Sequence, residues 1–238
     1  MNDETLKSKF AGKFIVLDGP DGCGKTIQVG VLAAYLQNNC VETIQTTDPG
    51  GTKVSNQISR ILKYDAEGAM SVETEVMLFM ASRAQLVAEV IRPALEEGKT
   101  VLCDRFISST CAYQGSSGYP REKIIQVGKF AVGDTWPDLT VIIDIPVEEG
   151  LERAGRKRNQ RTKINHEDAC QGYLFKNVVV DRFDSRPLEY HRKVRKEFLR
   201  LSEYYPRPVR VVDGSQGDIE TVHRKVVETI EAFVTADC

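Results

Sequence analysis

At 238 residues, with hydrophobic residues at 41% and charged residues at 28%, the chain has an ordinary globular composition and room for one large α/β domain. A net charge of −2 excludes a global electrostatic pull toward nucleic acid or an anionic membrane, so any basic site must be local. The polar, charged stretch from Met1 to Lys9 lacks a signal-peptide core, and no apolar run approaches a membrane span, which sets the expectation of a cytoplasmic protein.

In chain order, the apolar run Phe14-Ile15-Val16-Leu17 reads as a buried strand ending at Asp18. It runs straight into Gly19-Pro20-Asp21-Gly22-Cys23-Gly24-Lys25-Thr26, which fits the phosphate-loop pattern G-x-x-x-x-G-K-[ST]. The three glycines let the backbone curl so that its N–H groups converge, and a helix starting near Lys25 adds the positive end of its dipole. Lys25 is placed to reach the β- and γ-phosphates of a nucleotide, and the Thr26 hydroxyl to ligate Mg²⁺. Ile27, Val31, Ala34 and Tyr35 recur at helical spacing up to a stop at Asn38-Asn39, so strand, loop and helix follow in the required order.

Val41 to Thr47 is β-branched and reads as a second strand, ending in the turn Asp48-Pro49-Gly50-Gly51-Thr52, where Thr52 can cap a helix through about Lys63. A long helical segment runs from Ser71 to Glu97, with Phe79 and Arg83 one turn apart on one face. Phe79 is by default core packing and Arg83 by default a solvated charge, but an apolar stripe weakens that default for the arginine, because a buried guanidinium needs a partner. Pro93 is expected to kink this segment or end it early. The strand Thr100-Val101-Leu102-Cys103 delivers Asp104-Arg105-Phe106 to its carboxyl end, the edge of a parallel sheet where ligands bind. There Asp104 can organise Mg²⁺ and Arg105 can grip a phosphate. The polar, aromatic-bearing stretch Ser108 to Gly115 follows, then a helix over Arg121 to Val132 and a strand over Leu139 to Ile145.

Beyond the next helix lies the one strongly basic run, from Arg153 to Lys163, which by itself reads as a solvated face. Residues 162 to 180 support no assignment. A helix from Pro187 to Tyr204, a strand Val209–Asp213 and a helix from Ile219 to Phe233 complete the chain. Strands alternating with helices imply an α/β fold with a five-stranded parallel sheet covered on both faces. The six cysteines, Cys23, Cys40, Cys103, Cys111, Cys170 and Cys238, lack C-x-x-C spacing and read as thiols in reducing surroundings.

A phosphate loop alone does not separate nucleotide kinases from GTPases and motor ATPases. Asp48-Pro49-Gly50-Gly51 and Asp65-Ala66-Glu67-Gly68 match the D-x-x-G form, but no N-K-x-D guanine-reading sequence occurs, and Val141 to Asp144 ends in one acid rather than an adjacent pair. The loop, Asp48 to Thr52, Phe79 with Arg83-Ala84-Gln85, Asp104-Arg105-Phe106, Ser109-Thr110 with Ala112 to Gly115, Pro137 to Thr140, and Asp181-Arg182-Phe183 together resemble thymidylate kinases, collinearly over nearly the whole chain.

That resemblance implies one phosphate-loop nucleoside monophosphate kinase domain over 1–238, with an arginine-rich lid at about 153–182. It implies ATP as donor, deoxythymidine monophosphate as acceptor, Mg²⁺, and a homodimer formed through helices that include the one near residues 72–92. Gly19, Asp21, Gly22, Cys23, Gly24, Lys25 and Thr26 would bind ATP, with Thr26 and Asp104 at the metal. Phe79 resembles the ring that stacks on thymine, Arg83 the reader of a pyrimidine carbonyl and Arg105 the clamp on the acceptor phosphate. Asp21 matches the acid that meets the sugar 3′-hydroxyl, while Asp48, Ser109, Tyr113 and Gln114 complete the acceptor site. Gly22 stands where some members keep a catalytic arginine, so the implied lid charge comes from Arg153, Arg156, Arg158 and Arg161. Thr47 replaces a common arginine and Asp48 the usual glutamate. These departures keep dUMP or a modified deoxypyrimidine monophosphate open as acceptor, and a nucleotide-binding protein without turnover is the rival outside the kinases.

Overall fold

The computed structural model describes residues 3–65, 70–155, 183, 186–215 and 217–236. Strands β1 (Phe14–Asp18), β2 (Thr43–Thr47), β3 (Thr100–Asp104), β4 (Leu139–Asp144) and β5 (Val209–Asp213) pair in parallel in the order β2-β3-β1-β4-β5. Parallel neighbours need long crossovers, which here are helical and cover both faces. The helices are α1 (Asp3–Phe10), α2 (Lys25–Asn38), α3 (Lys53–Arg60), α4 (Val72–Leu86), α5 (Arg92–Glu96), α6 (Ile107–Ser116), α7 (Arg121–Val132), α8 (147–155), α9 (Leu188–Leu199) and α10 (Ile219–Ala236).

Side chains alternate across a strand, so β1 feeds two cores. Phe14 and Val16 join Val101, Cys103 and Ile142 beneath helices that include α4, α6 and α7; Ile15 and Leu17 join Leu102, Val141 and Ile143 beneath α2 and α10. Each such large apolar side chain contributes about 1.5–3 kcal/mol by burial. Asp138, one of the residues that carry the sequence resemblance, anchors this strand. Its Oδ2 accepts from the Phe14 amide at 2.7 Å, and its own amide donates to the Phe14 carbonyl at 2.8 Å.

Several expectations shift, among them the helix expected to reach Tyr204, which ends at Leu199. Strand β2 begins at Thr43 rather than Val41, because the buried Val41 donates its amide to the Leu36 carbonyl and closes the end of α2. Thr52 does cap α3, accepting from the Ser55 amide, but the helix passes into a π-turn at Ile61–Asp65. Pro93 neither breaks nor ends its segment. A π-turn at Val87–Ile91 widens the backbone just ahead of it, absorbing the hydrogen bond that proline cannot donate, and α5 continues to Glu96.

Among the described residues no helix is long and apolar enough to cross a membrane. Cys23, Cys103 and Cys111 are buried, and burial pushes each thiol up, Cys111 to about 12, which leaves them poor nucleophiles.

Candidate active site

The phosphate loop leaves the central strand β1 and turns directly into α2. Gly24 precedes that helix with φ 95° and has no side chain to cap it, so the first amides of α2 remain available to an anion. Lys25 folds inward and donates to the Gly19 and Pro20 carbonyls, both at 2.8 Å, with Cys23 Sγ at 3.6 Å. At Gly22 the backbone has φ 77°, and a Cβ there would stand 1.9 Å from the Gly150 carbonyl oxygen of α8. A catalytic side chain at this loop position is therefore incompatible with the packing of α8.

Asp18 closes β1 and is wholly buried. It accepts from the Gly19 amide at 2.9 Å, Ser108 Oγ at 2.6 Å and Ser109 Oγ at 2.8 Å, stitching the loop to the start of α6. Ser109 in turn accepts from Arg105 Nη1 at 3.2 Å, so its hydroxyl proton is committed to Asp18. Arg105 has φ 71°, a conformation that costs a branched-free L-residue on the order of 1–2 kcal/mol. Its surroundings hold it there. Arg105 Nη2 donates to Asp21 Oδ1 at 2.5 Å, Nη1 lies 3.4 Å from the Tyr113 hydroxyl, and the guanidinium sits 5.3 Å from the Tyr113 ring centroid. Burial alone would raise the Asp21 carboxyl, but Arg105 and Lys25 outweigh it and bring it down to about 2.

Thr26 Oγ1 donates to Asp104 Oδ2 at 2.5 Å, joining α2 to the end of β3, while the buried Asp104 Oδ1 has no partner among the described residues. These two oxygen donors suit a hard cation that keeps water and phosphate oxygens as its other ligands.

Beside this constellation lies a cavity of ≈ 270 Å³. Asp21, Thr26, Asp104 and Arg105 line it together with Asp48, Phe79, Arg83, Ser109, Tyr113 and Gln114, so every residue assigned to the acceptor from sequence reaches one space. Phe79 faces Phe183 with ring centroids 6.1 Å apart. Arg83, by default a solvated charge, is 1% exposed and has a buried partner: Nε donates to Asp48 Oδ2 at 2.6 Å. It also donates to Met80 Sδ, the Phe106 carbonyl and Thr110 Oγ1. Of its five N–H donors, those four bonds leave one on Nη1. Burial pushes the Asp48 carboxyl up, and the Arg83 guanidinium opposes that.

The implied lid is less represented. Arg153, at the end of α8, pairs with Glu149 one turn earlier and does not line the cavity. Arg156, Arg158 and Arg161, with most of the 153–182 segment, lie outside the described residues, as do Ala66 to Gly68 of the second D-x-x-G match. Sequence reasoning missed Lys63 and Thr110 as cavity residues, gave Phe183 no role, and passed over Asp18 as an organiser. An aspartate closing an apolar run was a usable signal for the last; nothing local marks Lys63, whose direction depends on the π-turn.

A phosphate loop at the central strand, with a second lined cavity at the carboxyl ends of β2 and β3, defines a nucleotide-dependent phosphotransferase of the phosphate-loop class. The Thymidylate kinase family model matches residues 17–226. A thymidylate kinase of Clostridium novyi is 38% identical over 224 residues, covering 94% of this chain and 98% of that protein, and one of Pelobacter propionicus is 39% identical over 92% and 94%. The crystal structure of thymidylate kinase from Ehrlichia chaffeensis superposes with a TM-score of 0.68 at 28% identity, covering 93% of this chain and 99% of that one. The chain belongs to the thymidylate kinase family.

Proposed function

We propose that this chain transfers the γ-phosphoryl group of ATP to deoxythymidine monophosphate, yielding ADP and the diphosphate. The observation that carries this reading is the single cavity joining the Phe79–Phe183 ring pair to Thr26, Asp104 and Arg105. An acceptor held there has its flat base on the rings and its phosphate toward Arg105, which is the positioning that phosphoryl transfer chiefly requires. An acceptor phosphate oxygen attacks the γ-phosphorus as the bond to the β-bridging oxygen breaks. Lys25 and the amides of Gly22 and Gly24 hold the donor, Asp21 meets the sugar hydroxyl, and Tyr113 bounds the deoxyribose. The remaining Nη1–H of Arg83 is free for a base carbonyl, with Asp48 holding its guanidinium in place.

Mg²⁺ fits Thr26 and Asp104, and when bound supplies positive charge between the transferring phosphates. The basic run after α8 adds further charge as a lid at about 153–182 on a single domain spanning 1–238. The backbone contact between Gly150 and the loop supports coupling of that run to ATP. Exposed Met77 on α4 and Phe130 on α7, 50% and 93% accessible on packed neighbouring helices, support a homodimer through this face. The proposed substrates, both water-soluble phosphates, agree with the cytoplasmic setting expected from the sequence.

A coupled assay for ADP release with dTMP, dUMP, dCMP and UMP as acceptors, and ATP alone as blank, tests the proposal. Release should depend on an acceptor and be fastest with dTMP. Acceptor-independent release would indicate an ATPase, and no release a binding protein.

A further inference from the structure

Glu75 is a buried carboxylate that the reaction above does not use. It lies on α4 one turn before Phe79 and is 2% exposed. Gln114 Nε2, on α6, donates to Glu75 Oε2 at 2.9 Å, and Arg186 Nη2 stands 3.5 Å from Oε1. Beside a guanidinium the carboxylate is an acceptor only. An acceptor-only group decides which end of an amide faces it: Nε2 turns toward Glu75, and Oε1 turns away. Reversal would set two acceptor oxygens against each other in a buried site, where an unpaired polar contact is most costly. Gln114 lines the cavity, and its Oε1 takes no bond among the described residues, so the carbonyl end is what the cavity is offered.

We infer that Glu75 is a positioning residue that locks the Gln114 amide so that the cavity presents a hydrogen-bond acceptor, selecting a pyrimidine with a protonated ring N3. The inference rests on the kinase reading and deepens it. Thymine and uracil carry N3–H between two carbonyls, whereas cytosine carries an N3 lone pair. A fixed acceptor pairs with the first two and opposes the third. The same carboxylate also faces Arg186, whose guanidinium lies 4.9 Å from the Tyr190 ring centroid, so it is held from the side of Phe183 as well.

The test is Glu75→Gln, nearly isosteric, whose amide can donate or accept and so lets Gln114 present either end. The ratio of kcat/KM for dTMP to that for dCMP should fall by about tenfold or more, because a site with a mismatched polar group loses that discrimination. In a Gln114→Met background the same substitution should change the ratio by less than about twofold, since the amide it acts through is gone. An unchanged ratio in Glu75→Gln, or equal losses on both acceptors, overturns the inference by reducing Glu75 to a packing role. Should Glu75→Gln fail to fold, Gln114→Met alone must lower the ratio, and an unchanged ratio overturns the inference equally. Wild-type protein without dTMP turnover overturns the kinase reading and the inference with it; normal wild-type turnover with an unmoved variant ratio overturns the inference alone.

Discussion

Arg105 Nη2 and Asp21 Oδ1 lie 2.5 Å apart, tying the end of β3 to the phosphate loop. Burial works to raise the Asp21 carboxyl, but Arg105 together with Lys25 depresses it from 3.8 to about 2. A carboxylate held below its unfolded value adds stability above that value and loses it as pH falls through the folded one. The contribution here is about 2 kcal/mol, lost between about pH 4 and pH 2. Denaturant unfolding of wild type and Asp21→Asn at about pH 5 and pH 2.5 checks it. Wild type should lose more stability on acidification, and equal losses would contradict the pairing.

Gly150 brings α8 against the loop so closely that an added Cβ would meet the Asp21 carbonyl oxygen at 2.3 Å. Gly150→Ala must therefore displace the loop or the helix, and overpacking of this kind costs about 1–3 kcal/mol. Steady-state kinetics should show KM for ATP raised more than KM for the acceptor. An unchanged KM for ATP would mean that the contact does not set loop geometry.

Asp48→Ala leaves the Arg83 guanidinium buried without an anion, which costs about 3–5 kcal/mol. Thermal unfolding should show a large drop in Tm for Asp48→Ala, partly restored in Asp48→Ala/Arg83→Met. A Tm close to wild type in the single variant would contradict the pairing as the anchor of this pocket.

Among Arg153, Arg156, Arg158 and Arg161, replacing the arginine that acts in transfer should lower kcat on the order of 10³. Arg153, engaged with Glu149, is expected to be the most tolerant of the four. Near-normal turnover in all four single alanine variants would remove the lid role.

The strands and the loop were legible because their signals are local. A buried run such as Leu139–Asp144 and a helix such as Arg121–Val132 carry their own periodicity and punctuation. Phe79 and Arg83 were legible as one face of one helix, but the complete burial of Arg83 was not, since an apolar stripe leaves both a solvated and a buried guanidinium open. Its partner did not follow either, since Asp48 is 35 residues away and meets Arg83 only in the folded chain. Glu75 and Gln114 are likewise brought together by the packing of α4 on α6, across 39 residues. Ser109 illustrates the opposite limit: its type suits a ligand contact, but Asp18 already holds its proton.

In the proposed function one cavity grips a pyrimidine at Phe79 and its phosphate at Arg105. Equilibrium titration of wild type, Phe79→Ala and Arg105→Met with thymidine and with dTMP tests it directly. Loss of base stacking should weaken both ligands by about tenfold, whereas loss of the guanidinium should weaken dTMP by about tenfold or more. Thymidine binding should survive Arg105→Met almost unchanged. If Arg105→Met weakens thymidine and dTMP equally, or neither, the phosphate is not held where the cavity places it.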